Sequence, residues 1–389
     1  MKLFLVVFKM IISSVIKKPI RNCHGVIFHN HGSEVIKSAL EPLHFETLTL
    51  KVEELRFFIA LQGIIWKLLG IDSFTDSYIR IFLKKAKPKF LITFVDEDPN
   101  VFRIQQKFDL PTIIIQNGLR QDWLKNSKED LHVERLFVLN SSYAEYFGNY
   151  INGKIIPIGS LKNNEYLSKR IGVVTKNLDI EMEAEVEFAF ISTFTDPLDA
   201  PAGKINLLGS GPVSWEEFHR ADLIALAELK KICRVNNYNL SVIGCFNYRK
   251  ESEYDLFGKL LEGIKWKFIP RENFSSYQEL ENASLIFTVD STLGFEALAQ
   301  QKKVFFMSYR AKILGLKDRC FGWPDEYPET GSFWMSESNQ VEFESKVMDC
   351  LSKQYAEIYD PNFINRLIAL DDNHKLLRSE IGILFGKKY

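Results

Sequence analysis

"SLIFTVDSTLGFEALAQQKKVFFMS", residues 284–308, is the stretch from which the rest of the chain is read. A short β-branched and aromatic run ends in Asp290. Ser291 and Thr292 follow, then Gly294 within an apolar stretch that carries Glu296. A second apolar run begins after Lys302 and Lys303. The pattern predicts a strand, a tight turn, a helix and a parallel strand. The helix in such a unit presents free N–H groups and a partial positive charge at its first turn. The hydroxyls of Ser291 and Thr292 can cap that helix or bond a phosphate. Gly294 lets backbone approach a ligand closely, and Glu296 can take hydrogen bonds from a ribose or simply favour the helix start. Spacing alone leaves both readings open.

Working outward, the same alternation fills the chain. "VEFAFISTF" (186–194), "LSVIGC" (240–245), "IKWKFIP" (264–270) and "KVFFMS" (303–308) read as strands. A long helix over 213–236 has Ser214 as N-cap and Glu217 at capping-box spacing. Upstream, "HGVIFHNHG" (24–32), "HFETLTLK" (44–51), "KFLITFVDEDP" (89–99), "PTIIIQNG" (111–118), "RLFVLN" (135–140) and "GKIIPIGS" (153–160) are strands running into polar turns. "ELRFFIALQGIIWKLLG" (54–70) is too long for a strand and has a broad apolar face. Strands alternating with helices imply parallel sheets with crossover connections. The expected fold is α/β, with two doubly wound domains facing across a cleft. The first domain covers 1–165, a polar linker 166–185 and the second domain 186–355, and C-terminal helices 356–389 are expected to pack back on the first domain.

Composition narrows the function. The chain has 389 residues, 46% hydrophobic and 25% charged, the balance of a globular protein of about two domains. A net charge of −1 argues against a dedicated nucleic-acid binder. Five cysteines without CxxC spacing give no disulfide framework or structural zinc site, and reduced thiols are expected. His29 and His31 would share one strand face, where they could bind a metal, or belong to a loop. The apolar N-terminus, interrupted by Lys9, is about 16 residues long, short of the roughly 20 that span a bilayer. It reads as an interfacial helix on the cytoplasmic face of a membrane or as a buried first element.

Active groups gather at the carboxyl ends of parallel strands. That rule selects Asp96, Glu97 and Asp98, where crowded carboxylates suit a base, although Asp98-Pro99 can equally cap a helix. It also selects Asp196, Asp199, Glu217 and His219 around a Gly/Pro-rich loop. Gln116, Asn117 and Arg120, with Lys162, Asn163 and Asn164, suit sugar hydroxyls and a carboxylate. Gly244, Arg249, Lys250, Pro270 and Arg271 suit a phosphate held without a metal. Trp323, Tyr327 and Trp334 could stack on sugar faces or pack beneath their own loop.

The ordered motifs "TFVDEDPNVFRI", "IIIQNGLR", "GSLKNN" and "STLGFEAL" resemble those of a bacterial surface-carbohydrate family, acting in O-antigen or capsule synthesis, over roughly residues 88–310. The 291–303 segment is similar to the S/T-x-x-G-x-E-A pattern of GT-B glycosyltransferases. The resemblance implies two Rossmann-like domains and a nucleotide-sugar donor held by Ser291, Thr292, Gly294, Glu296, Gly244, Pro270 and Arg271. It implies a glycan or lipid-linked acceptor near Gln116, Asn117, Arg120, Lys162, Asn163 and Asn164. Catalytic candidates are Asp96, Asp98, Asp196 and Glu217, with no cofactor and no metal. Among wider relatives are transferases of acidic sugars such as Kdo or sialic acids from CMP donors, but "KFIPR" stands where a sialyltransferase carries His-Pro. A CDP-polyol phosphotransferase and a non-catalytic glycan-binding or assembly protein are the alternatives.

Overall fold

A computed structural model of the protein describes residues 20–51, 54–119, 122, 124, 130–170, 186–200, 203–207, 210–245, 250–272 and 274–385. Its first sheet contains β1 (Gly25–Phe28), β2 (Phe45–Leu48), β3 (Phe90–Thr93), β4 (Thr112–Ile115), β5 (Leu131–Val138) and β6 (Ile151–Pro157). The order is β2-β1-β3-β4-β5-β6, and every pairing is parallel. Around it lie α1 (Ser33–Ala39), α2 (Phe57–Leu68), α3 (Phe74–Ala86), α4 (Ser141–Gly148) and α5 (Leu161–Arg170).

The second sheet contains β7 (Glu187–Ile191), β10 (Asn239–Ile243), β11 (Trp266–Ile269), β12 (Leu285–Thr288), β13 (Val304–Met307) and β14 (Trp334–Met335). Its order is β11-β10-β7-β12-β13-β14, again all parallel. The helices that follow along the chain are α6 (Trp215–Asn236), α7 (Lys250–Leu260), α8 (Ser275–Asn282), α9 (Thr292–Ala299), α10 (Tyr309–Leu314), α11 (Gln340–Ser352), α12 (Pro361–Leu367) and α13 (Lys375–Phe385). Counted in chain order, the strands of this sheet run 3-2-1-4-5-6, the doubly wound order. The opening stretch of the sequence supplies β12, α9 and β13.

Strands covered on both faces should read as continuous apolar runs. β1, β3, β4, β12 and β13 are buried along their whole length. One apolar core runs through both halves. A second core lies on the other face of the first sheet, where Leu377 and Ile381 of α13 cover Ile27, Ile92, Ile113 and Phe137. Three contacts of charged side chains fasten α13 there. Glu380 takes Arg135 at 3.1 Å and Lys154 at 2.6 Å, and Arg378 donates to Ala39 O at 2.8 Å.

Three details differ from the reading of the sequence. The Gly/Pro-rich loop 196–212 contains an antiparallel hairpin of β8 (Lys204–Leu207) and β9 (Gly211–Ser214). Its strands are short and its composition is that of turns, so periodicity gives no warning. Helix α5 continues to Arg170 with Asn163, Asn164 and Glu165 buried, where Asn163 Oδ1 takes Gln300, Asn164 bonds Ile158 O and Asp371 N, and Glu165 meets His374 and Ser38. Trp334, read as part of a loop, sits in β14 with its ring stacked on Phe321 at 4.6 Å. Residues 171–185, most of the expected linker, lie outside the described residues. Among the described residues no helix is long and apolar enough to cross a membrane.

Candidate functional site at the facing sheet edges

In a doubly wound sheet the crevice forms where neighbouring strands send their crossovers to opposite sides. That point lies between β7 and β12 in the second sheet and between β1 and β3 in the first. Thr292 Oγ1 accepts from Leu119 N at 3.0 Å, so the two carboxyl edges meet at the start of α9. At the other end of α9, Gln300 donates to Asn163 Oδ1 at 2.6 Å. Helix α9 therefore lies along the junction of the halves.

At the second edge, Ser291 caps α9 by accepting from Leu293 N at 3.3 Å, and Ser291 N donates to Thr288 Oγ1 at 3.1 Å. A Cβ on Gly294 would stand 2.6 Å from Thr288 Cγ2 and 3.2 Å from a Phe306 ring carbon. The glycine is thus required for the helix to approach its own sheet. Glu296 is buried and accepts from Tyr277 OH at 2.8 Å. Burial and the Glu296 carboxylate together push the Tyr277 phenol well above its usual value, so it is a firm donor. Tyr166 of α5 stacks on Tyr277 at 4.8 Å, which ties this helix pair to the first half. Gly244 N donates to Ile269 O at 2.9 Å, Pro270 O accepts from Ser275 Oγ at 2.7 Å, and the exposed Arg271 donates to Cys245 O at 2.8 Å.

The strongest feature of this edge is one that sequence reasoning missed. Arg310, just after β13, is fully buried. Its guanidinium pairs with Asp222 and Asp290, and donates to Phe218 O at 3.0 Å and Thr193 Oγ1 at 2.9 Å. It also lies over the Phe218 ring at 4.2 Å. A buried charge requires such compensation, and the planar fork of arginine can supply it. Burial works to raise the Asp222 pKa, but Arg310 and then His219 overcome it and hold the carboxylate below its ordinary range. Arg319 adds a second cation on Asp290 at 3.1 Å. The signal available in sequence was a cation at a strand end. What it faces, from Asp222 to Asp290, depends on the fold.

The remaining acidic candidates are dispersed. Asp196 is buried, caps the turn at Leu198 N at 2.7 Å and takes Ser252 Oγ at 2.5 Å. Glu217 completes the capping box of α6, accepting from Ser214 N at 3.1 Å. Only the backbone of Asp199 is described, and Arg120 and Arg249 lie outside the described residues. Lys250 begins α7 and pairs with Glu272 at 3.4 Å.

At the first edge Asp96 is buried, with Asn117 N 3.4 Å from its Oδ1. Asn117 Nδ2 lies 2.9 Å from His31 Nε2, and Asn117 Oδ1 is buried with no hydrogen-bond partner. Asp98 is half-exposed and adjoins His29; burial lowers the His29 pKa against the opposing pull of Asp98. Gln116 is buried, with its amide bonded to Gly118 O at 2.9 Å and Leu139 N at 3.0 Å. Asn164 donates to Ile158 O at 2.8 Å and accepts from Asp371 N at 3.4 Å. Gln116, Asn163 and Asn164 therefore act as ties within the fold, while Lys162 stands half-exposed at the start of α5. Among the described residues no cluster of three or more His, Cys, Asp or Glu could hold a metal ion.

Between the edges lies a pocket of about 440 Å³. Val289, Asp290 and Ser308 enter it from the second sheet, Leu119 and Tyr143 from the first, and Arg319 and Trp323 from the connecting loop. Arg319 Nε and Asp318 Oδ1 are buried there without hydrogen-bond partners. A buried donor and acceptor left in this state are costly unless something else bonds them.

Two parallel six-stranded sheets meeting across such an edge define a GT-B-like two-domain α/β protein. Solved structures share that fold across nearly the whole chain. UDP-N-acetylglucosamine 2-epimerase from Rickettsia bellii matches with a TM-score of 0.54 at 12% identity, covering 95% of this chain and 98% of that one. A structure of S. aureus MnaA with UDP gives 0.53 at 10%, covering 93% and 96%. The wall teichoic acid polymerase TagF, as its H444N variant, gives 0.52 at 12%, covering 98% and 93%. At these identities the likeness is one of fold. No curated protein matches the sequence. A family model described as "putative O-antigen biosynthesis protein" matches residues 113–377, more than half of the chain, and the protein belongs to that family.

Proposed function

We propose that the protein is a glycosyltransferase that moves a sugar from a nucleotide donor onto a growing surface polysaccharide. The observation that carries this reading is the pocket between the two sheet edges, with the unpartnered Arg319 Nε and Asp318 Oδ1 in its wall. In this proposal the donor's nucleotide lies along β12 and α9, with its phosphates at Ser291 and Thr292 and its ribose at Glu296. Gly244, Pro270 and Arg271 frame the base. Arg319 takes negative charge that develops on the leaving phosphate. The acceptor lies at the first edge, where the buried Asn117 Oδ1 has no hydrogen-bond partner in the protein and would accept from a sugar hydroxyl. Asp98, the more accessible carboxylate, is the general base, and the buried Asp96 positions Asn117 through its backbone. Arg120 and Lys162 complete the acceptor side, and Asp196 and Glu217 act structurally. The reaction needs no metal and no cofactor, and the protein works at the cytoplasmic face of the inner membrane as a peripheral protein.

A thermal-shift series with CMP, CDP, UDP, GDP and their sugars tests the donor site. Ligand at a hundred times its dissociation constant stabilises by about 2.7 kcal/mol. A CMP-linked acidic sugar such as Kdo and a UDP sugar are separate arms of that series. Ser291→Ala and Glu296→Ala are expected to weaken nucleotide binding about tenfold while the protein stays folded; unchanged binding in both removes the site assignment. Asp98→Asn is expected to lower turnover about 10²-fold or more with donor affinity retained. Product mass separates sugar transfer from polyol-phosphate transfer. Glycan binding without any nucleotide binding would identify an assembly protein instead.

A further inference from the structure

We infer that the outer face of α2 is a docking surface for an anionic lipid bilayer. Phe58, Leu61, Ile65 and Leu68 fall at helical spacing on one stripe, and their exposures are 76%, 45%, 47% and 81%. The opposite face, with Ile59, Ala60 and Gly63, is buried. A helix apolar all round belongs in a core or a membrane, and this one is solvent-facing along its outer stripe. Its twelve residues reach about 18 Å, against a hydrocarbon core of about 30 Å, so it can lie in the interface but cannot cross it.

The charges around the stripe select lipid as the partner. Helix α2 contains Lys67 and no acid. Lys84, Lys85 and Lys87 are exposed at the end of α3. That end lies beside the start of α2, because Arg56 N donates to Tyr78 OH at 2.9 Å and the Arg56 guanidinium stands 5.8 Å from the Phe82 ring centroid. Of the acids around this helix pair, Asp72 is taken by Arg80 at 3.1 Å, Asp76 by Lys107 at 2.5 Å and Glu46 by Arg56 at 3.2 Å, and Glu54 accepts from Asn30 Nδ2 at 2.5 Å. Cys23 N bonds Ala86 O at 3.0 Å, so the chain enters the first sheet at this same lysine-rich end. Residues 1–19 of the sequence, which lead into it, are apolar with four lysines and no acid. A second copy related by a twofold axis would bring like charges together, whereas anionic headgroups neutralise them.

The surface also adjoins the first sheet edge. Glu54, just before α2, takes Asn30 Nδ2 at 2.5 Å, next to His29 and His31. The docking surface specifies how the peripheral association in the proposed function is made, and delivery of a lipid-linked acceptor from the bilayer to that edge rests on that function. The test uses the full-length protein with vesicles of phosphatidylcholine alone or mixed with phosphatidylglycerol, in a sedimentation assay. The protein is expected to bind the anionic vesicles, less as salt rises, and a Phe58→Ser/Leu61→Ser/Leu68→Ser variant with an unchanged melting temperature to bind at least tenfold more weakly. Wild-type binding by that variant, equal binding to both vesicle types, no binding at all, or a wild-type dimer that the variant splits would each overturn the inference. Nucleotide binding is read separately by thermal shift, so loss of the catalytic reading leaves the docking result intact, and the converse holds.

Discussion

At the carboxyl edge of the second sheet, a buried arginine is held between Asp222 and Asp290, with Arg319 on the outer side of Asp290. At the same edge of the first sheet, the buried polar groups include two amides. Gln116 is bonded to backbone at both ends, and Asn117 has one oxygen unpartnered. One edge is fixed by charge in a low-dielectric setting, where breaking a pair leaves another ion buried. The other holds one buried acid, Asp96, against Asn117 N and is otherwise tied by amide hydrogen bonds, each of smaller net worth. In the proposed function, the contrast would make a rigid site for the phosphorylated donor facing a more adaptable one for the acceptor.

Removing Arg310 is the strongest test of that contrast. Arg310→Met removes the guanidinium from the buried Asp222 and leaves Asp290 with Arg319 alone, and it is expected to cost about 3–5 kcal/mol in urea unfolding. Gln116→Leu leaves Leu139 N and Gly118 O without partners and is expected to cost about 1–3 kcal/mol. Equal losses in the two variants would erase the distinction between the edges. The Glu165–His374 contact near the junction sharpens it with pH. Burial acts to raise the Glu165 pKa, but bonds from His374, Lys169 and Ser38 hold it down at about 2, below the ordinary 4.5. Its contribution is complete above pH 4.5 and disappears as pH falls through about 2. Glu165→Gln should therefore be less stable than wild type at neutral pH, with the gap closing across that window in denaturation curves. Thr292→Val removes one bond between the halves and is expected to cost only about 1 kcal/mol. A larger loss would mean that the start of α9 holds the halves together.

Much of the scaffold was legible. Continuous runs such as "TIII" and "LIFT" became fully buried parallel strands. Ser214 and Glu217 formed the capping box that their spacing indicated. The β8-β9 hairpin was missed, because four-residue strands in a Gly/Pro-rich stretch carry no usable period. Side-chain roles were less legible than elements. Gly294 was read for its approach to a ligand, yet the atoms opposite it belong to Thr288 and Phe306. Asn163 and Asn164, read as strand-end amides suited to sugar hydroxyls, are buried in α5.

By itself the sequence determined the local order of strand, turn and helix, and with it the two parallel sheets. Those features depend on side-chain period and backbone preference over a few residues. Only the tertiary structure decided which distant groups share a dry environment. Asp222 and Arg310 are 88 positions apart, and Tyr277 meets Glu296 from a different helix. The opening stretch shows the division: its strand–turn–helix–strand pattern was readable in order, while the partners of Asp290, Thr292 and Glu296 came from folding. Electrostatic partnership depends on distance and burial, and neither is written in sequence spacing.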